Sequence, residues 1–96
     1  MSPLTLKIVT PEGDDRSIGC DSVNLWMASD TKDKGEGSFG IRKGHVDAVI
    51  ALGNGPLEAH LDGKTVFSAR TESGFASVLN NTVTVVTSHI EIAIRQ

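Results

Sequence analysis

The chain has 96 residues, a formal net charge of −3 and a single cysteine. That length closes one modest core and excludes a two-domain enzyme, while acidic and basic residues mixed along the chain form no basic stripe of the kind nucleic acid requires. Cys20 has no second thiol for a disulfide or a metal site, no apolar run approaches the roughly 18 to 20 residues that cross a bilayer, and MSPLTLKIVTP lacks a charged segment followed by an apolar one. The expectation is one soluble domain over residues 1–96, not exported and in a reducing, cytoplasmic setting.

In chain order the main signal is alternation of apolar and polar residues, cut at short intervals by turn residues. Leu4, Leu6 and Ile8 alternate with Thr5 and Lys7 until Pro11-Glu12-Gly13-Asp14-Asp15 breaks the run. Val23, Leu25 and Met27 alternate next, which sends Trp26 to the opposite face. A charge-dense, glycine-rich stretch from Asp30 to His45 follows and reads as an exposed loop, with only Phe39 and Ile41 available for burial. Val46, Ala48, Ile50 and Leu52 share one face of a further strand, stopped by Gly53-Asn54-Gly55-Pro56. A helix from Gly44 to Leu52 is the poorer alternative, because Gly44 and the β-branched residues weaken it.

Leu57, Ala59 and Leu61 lead to Asp62-Gly63, the strongest hairpin signal in the chain, and then to Val66 and its neighbours. Phe75 to Leu79 and Val83 to Val86 flank Asn80-Asn81, a dipeptide that tolerates the left-handed conformation of a tight turn. Ile90, Ile92 and Ile94 close the chain. The fold class that follows is all-β: a flattened antiparallel β-sandwich or barrel of about 8 to 10 short strands. Its core is aliphatic, since Trp26, Phe39, Phe67 and Phe75 are the only aromatic residues.

Residues 35–40, GEGSFG, match the phosphate-cradling pattern G-x-G-x-x-G. That pattern works when it leaves a buried strand and enters a helix whose first amides face the phosphate. Here the charged run Asp30 to Lys34 precedes it, Ile41-Arg42-Lys43-Gly44 follows, and the chain has no room for the rest of a dinucleotide fold. The glycines are therefore read as bending an exposed loop, and no nucleotide or other cofactor is expected. His45, His60 and His89 lack the spacing of a zinc site, Ser73-Gly74 lacks a nucleophile elbow, and Glu58 with Asp62 on a hairpin reads as solvated charge. Trp26 is either a filler of the sandwich interior or a partner anchor.

The stretch Glu36-Gly37-Ser38-Phe39-Gly40-Ile41-Arg42-Lys43-Gly44-His45-Val46-Asp47 resembles the glycine-rich loop of the epsilon subunit of F-type ATP synthases, E-G-x-x-G-I-x-P-G-H-A-P. Leu4 to Pro11 is similar to that subunit's first strand, and Ser73-Gly74-Phe75 with Val83-Thr84-Val85-Val86 to its later G-(F/I)-L-E-V…V-T-V-L segment, in the same order. Gly37 to Gly40 and His45 to Asp47 are closer to the alternate, sodium-linked N-type branch. The resemblance implies a ten-stranded flattened sandwich in the central rotor stalk, a non-catalytic coupling that clips onto the gamma subunit and rests on the polar loops of the membrane c ring. It further implies a peripheral position on the cytoplasmic side of the inner membrane.

On this resemblance Glu36, Ser38, Arg42 and His45 face the c ring, or else are ordinary solvated loop residues, and Trp26, if exposed, contacts gamma. Lys43 stands where the family often has proline, and the run from Asp30 to Gly35 is longer than usual. The family's C-terminal pair of helices, which regulates ATP hydrolysis, has no counterpart in residues 1–96, so helix-based inhibition is not assigned to them. The alternative reading is a small-molecule-binding β-barrel, which needs a concave pocket with convergent polar groups.

Overall fold

Ten β-strands make up the computed structural model, which describes residues 3–11, 13, 15–27, 37–44 and 47–95. They are β1 (Leu4–Val9), β2 (Arg16–Cys20), β3 (Ser22–Met27), β4 (Gly37–Arg42), β5 (Ala48–Leu52), β6 (Gly55–Leu61), β7 (Lys64–Thr71), β8 (Gly74–Leu79), β9 (Thr82–Thr87) and β10 (Ile90–Arg95). The strand order is β10-β7-β6-β3-β5-β8-β9-β1-β2, with β4 on the other edge of β3. All pairs are antiparallel except β1 with β9, which run parallel with Leu6 opposite Val83 and Ile8 opposite Val85.

Local chemistry explains the hairpins. At Asp62-Gly63 both residues have positive φ, 53° and 77°, and at Asn80-Asn81 the values are 52° and 58°. Two successive left-handed residues give a turn whose twist matches that of the flanking strands, so β6 meets β7 and β8 meets β9 with no spare loop. The Asn81 side chain also accepts a hydrogen bond from the Gly44 N–H at 2.8 Å, tying the end of β4 to the β8–β9 turn.

The sheet curls so that β5-β8-β9-β1-β2 lies against β10-β7-β6-β3-β4, and β2 closes onto β6 through an Asp21 N–H to His60 carbonyl bond of 2.8 Å. The molecule measures 40 × 30 × 22 Å, and the short axis is that of two stacked layers about 10 Å apart with their side chains. Between the layers lie the inward residues of the alternating runs: Leu4, Leu6 and Ile8 from β1, Val23 and Leu25 from β3, Leu57 and Ala59 from β6, Phe67 and Ala69 from β7, Ala76 and Val78 from β8, and Val83 and Val85 from β9. Phe67 alone of the aromatic residues is fully buried.

Two strands depart from the expectation. Residues 37–42 form β4 and are not a loop: Val23 lies opposite Ile41, Leu25 opposite Phe39 and Met27 opposite Gly37 along the edge of β3. Burial alternates along β4, with Ile41 fully buried, Gly37 and Phe39 half-buried and Ser38, Gly40 and Arg42 exposed, but two of its six residues are glycines and the strand is held by its pairing with β3. β2 likewise carries a glycine and an arginine, and it forms because the edge of β1 is free to take it, with Leu4 opposite Cys20 and Leu6 opposite Ile18.

Candidate interaction surfaces

The period that fills the core fixes what each layer shows outside. On the β5-β8-β9-β1 layer, Ala51 lies opposite Phe75, Phe75 opposite Val86 and Val86 level with Val9, so one apolar row crosses four strands. Phe75 is 45 % exposed, Val9 36 %, and on the same outer face Val49 and Leu79 reach 74 % and 53 %. Beside the row runs a groove of about 420 Å³, walled by Val9, Pro11, Phe75 and Val86. Gly74 keeps its floor low, because a Cβ there would run into the Val86 carbonyl oxygen and lie 2.9 Å from the Thr87 Cα.

The opposite layer is polar. Arg42, Ser22, His60 and Thr65 form one cross-strand row, and Gly40, Asn24, Glu58 and Ser68 the next. His60 holds this grid together: its Nδ1 lies 3.2 Å from the Thr65 hydroxyl and its Nε2 3.4 Å from both the Asn24 amide nitrogen and Glu58 Oε1. Glu58 thus pairs with His60, while Asp62 sits in the turn and donates its N–H to the Asp21 carboxylate at 2.9 Å. The two carboxylates expected to be solvated do not form an acid–base pair. Among the described residues no group of histidine, cysteine, aspartate and glutamate is arranged to hold a metal ion.

Ser38 and Arg42 stand exposed on one face of β4, and Trp26 lies directly opposite Ser38. Three of the five residues singled out in the sequence are therefore neighbours on the polar layer; Glu36 and His45 lie outside the described residues. Trp26 is half-buried, and its ring covers Gly55 so closely that a Cβ added there would fall 2.7 Å from both Trp26 Cβ and Cδ1. The alternation of the sequence placed Trp26 correctly on the face opposite Val23 and Leu25. What sequence reasoning missed is the apolar row on the other layer. The signal was present, since Phe75 and Leu79 fall out of phase with Ala76 and Val78 in β8.

Cys20 is fully buried, and burial, reinforced by the Asp21 carboxylate, pushes its thiol from the ordinary 9.0 to about 11. A thiol held protonated is a poor nucleophile.

The sandwich presents one apolar and one polar outer face, and a contiguous exposed apolar row is the kind of feature that marks an interaction surface. Residues 3–93 match the family model of the ATP synthase delta/epsilon chain β-sandwich domain, and the chain belongs to that family. It is 33 % identical over 88 residues to the ATP synthase epsilon chain of Synechococcus sp. (strain JA-2-3B'a(2-13)), a match that covers 92 % of this chain and 58 % of that one. Among solved structures it resembles a chain of the Euglena gracilis mitochondrial ATP synthase, in an assembly of OSCP, F1 and c-ring, with a TM-score of 0.72 and 22 % identity over 93 % of this chain and 52 % of that one. A chain of the Tetrahymena thermophila mitochondrial ATP synthase central stalk and c-ring gives 0.65 and 15 %, covering 93 % and 66 %. The chain thus spans less than two thirds of each of these relatives. No helix of the described residues is long and apolar enough to cross a membrane.

Proposed function

We propose that this chain is a non-catalytic rotor subunit of an F-type ATP synthase, a sandwich that binds the gamma subunit and passes its rotation to the membrane c ring. Family membership supports the assignment to the machine. The observation that carries the mechanical reading is the row Ala51–Phe75–Val86–Val9, because an exposed apolar stripe across four strands is unfavourable in water and favourable against a partner. Gamma takes this row and its groove.

The ring contact falls to the β4 end of the polar layer, where Ser38 and Arg42 are exposed, together with Glu36 and His45 from the flanking segments. Polar and charged groups suit a surface that must register on the polar loops of successive c subunits. Trp26, beside Ser38 and on the layer opposite the apolar row, reaches gamma only if gamma also wraps the edge of the sandwich. The subunit sits peripherally on the cytoplasmic side of the inner membrane.

Co-expression with gamma from the same source, followed by size-exclusion chromatography, tests the reading. A one-to-one complex is expected with the parent chain, with a loss of affinity of at least about tenfold for Phe75→Asp. Trp26→Ala then decides whether gamma also wraps the edge. Arg42→Glu is expected to keep the gamma complex and lose capture of the c ring. Failure to form any gamma complex at low and moderate salt would overturn the assignment, and a complex untouched by Phe75→Asp would move gamma off the apolar face.

A further inference from the structure

A second hollow, of about 430 Å³, lies on the outside of the β3–β4 pair. It sits over the quartet Ser22, Asn24, Gly40 and Arg42, which the register places two by two, and the Lys43-Gly44 turn closes one end. Its openness has a local cause: Gly40 faces Asn24, and any side chain at residue 40 would fill the space, the first carbon arriving 3.2 Å from Asn24 Oδ1. Two cations border the hollow and no carboxylate does among its described lining residues, although the chain as a whole is net negative. Among the described residues neither Arg42 nor Lys43 has an ion-pair partner.

The polar groups refine the ligand. The Asn24 amide nitrogen is turned to His60 Nε2, which leaves Oδ1 on the Gly40 side as an acceptor. The Ser22 hydroxyl lines the same wall. Two cations on one side and an acceptor with a hydroxyl on the other fit an anion that carries an adjacent hydroxyl group. We propose that this hollow binds a glycerol phosphate group, with the phosphate between Arg42 and Lys43 and a glycerol hydroxyl on Asn24 Oδ1.

Two sources share that chemistry: the headgroup of phosphatidylglycerol and free glycerol 1-phosphate. The lipid source rests on the rotor reading, which turns the β4 end toward the membrane. The binding chemistry itself does not. Bound there, an acidic headgroup would hold the stalk at the membrane surface, with Arg42 shared between the headgroup and the ring contact and Lys43 supplying the second charge.

The test is a nitrogen-15 NMR titration of the chain with glycerol 1-phosphate, in parallel with flotation on phosphatidylcholine vesicles with and without phosphatidylglycerol. Shifts centred on Ser22, Asn24, Gly40 and Gly44 are expected, weakened by at least about tenfold in Arg42→Gln/Lys43→Gln. Gly40→Val keeps both charges and fills the hollow, so it separates a shaped site from diffuse attraction; it too should lose binding. Should Gly40→Val lose its dispersed spectrum, Asn24→Leu, which also keeps both charges and removes the acceptor from the wall of the hollow, serves instead and should likewise lose binding. Binding of the soluble phosphate supports a free ligand, and flotation only with phosphatidylglycerol supports the lipid. Binding unchanged in Gly40→Val, shifts spread elsewhere, or no response to either probe overturns the proposal. Because gamma is assigned to the other layer, Gly40→Val should still form the gamma complex, so loss of the hollow's ligand and failure of the rotor reading are told apart.

Discussion

Gly55→Ala sets two opposing effects against each other. Glycine at 55 has no positive φ to protect, so alanine would fit the backbone and, by restricting the unfolded chain, would stabilise by about 0.4–1 kcal/mol. Against that, the new methyl would press on Trp26 Cγ and lie 2.7 Å from its Cβ and Cδ1, close to 1 Å inside ordinary carbon contact. Overpacking of this size costs about 1–3 kcal/mol, and in a domain this small each kcal/mol moves the melting temperature by about 4–8 °C. The net expectation is a loss of about 5–15 °C, read by circular dichroism melting.

The cycle with Trp26→Gly, which removes Cβ together with the indole, locates the cause. With the whole side chain gone, Gly55→Ala should be neutral or stabilising by up to about 1 kcal/mol. If alanine at 55 costs the same in both backgrounds, the glycine is required by the backbone and the Trp26–Gly55 contact is not what selects it. That result would refute the argument.

Position within the sandwich should separate two phenylalanines of equal size: Phe67→Ala, in the core, should cost about 3–5 kcal/mol in urea unfolding, while Phe75→Ala, half-exposed, should change stability far less. Thr71 is buried and its hydroxyl has no hydrogen-bond partner among the described residues, so Thr71→Val, which keeps the shape, should leave stability unchanged or raise it by up to about 1–2 kcal/mol on the same measurement. Cys20 should resist a thiol reagent at pH 8 in the folded chain and react on unfolding. Its folded thiol titrates near 11 against 9.0 unfolded, so above pH 9 the unfolded state releases its proton first and stability falls as pH rises toward 11; Cys20→Ala, whatever its own cost, should flatten that slope.

Alternation and turn chemistry are local, and wherever they were strong they were legible. The runs Leu4 to Ile8, Leu57 to Leu61 and Val83 to Val86, with their Asp-Gly and Asn-Asn turns, specify strands and hairpins from neighbouring residues alone, because a pleated chain turns every second side chain the same way. The same signal put Trp26 on an outer face, and the ordered motifs pointed to the family that residues 3–93 match.

What the residues could not announce locally is pairing across the chain. Gly37 to Arg42, read as the bend of a loop, becomes a strand only because the edge of β3 supplies its hydrogen bonds, and Arg16 to Cys20 does so on β1. The parallel β1–β9 pair joins segments more than seventy residues apart, and it is this pairing that carries the apolar row from Phe75 and Val86 on to Val9. Inward and outward were written in the sequence by a period of two; which outward residues become neighbours, and so form a surface a partner can use, depends on strand order and register, which only the folded sheet decides.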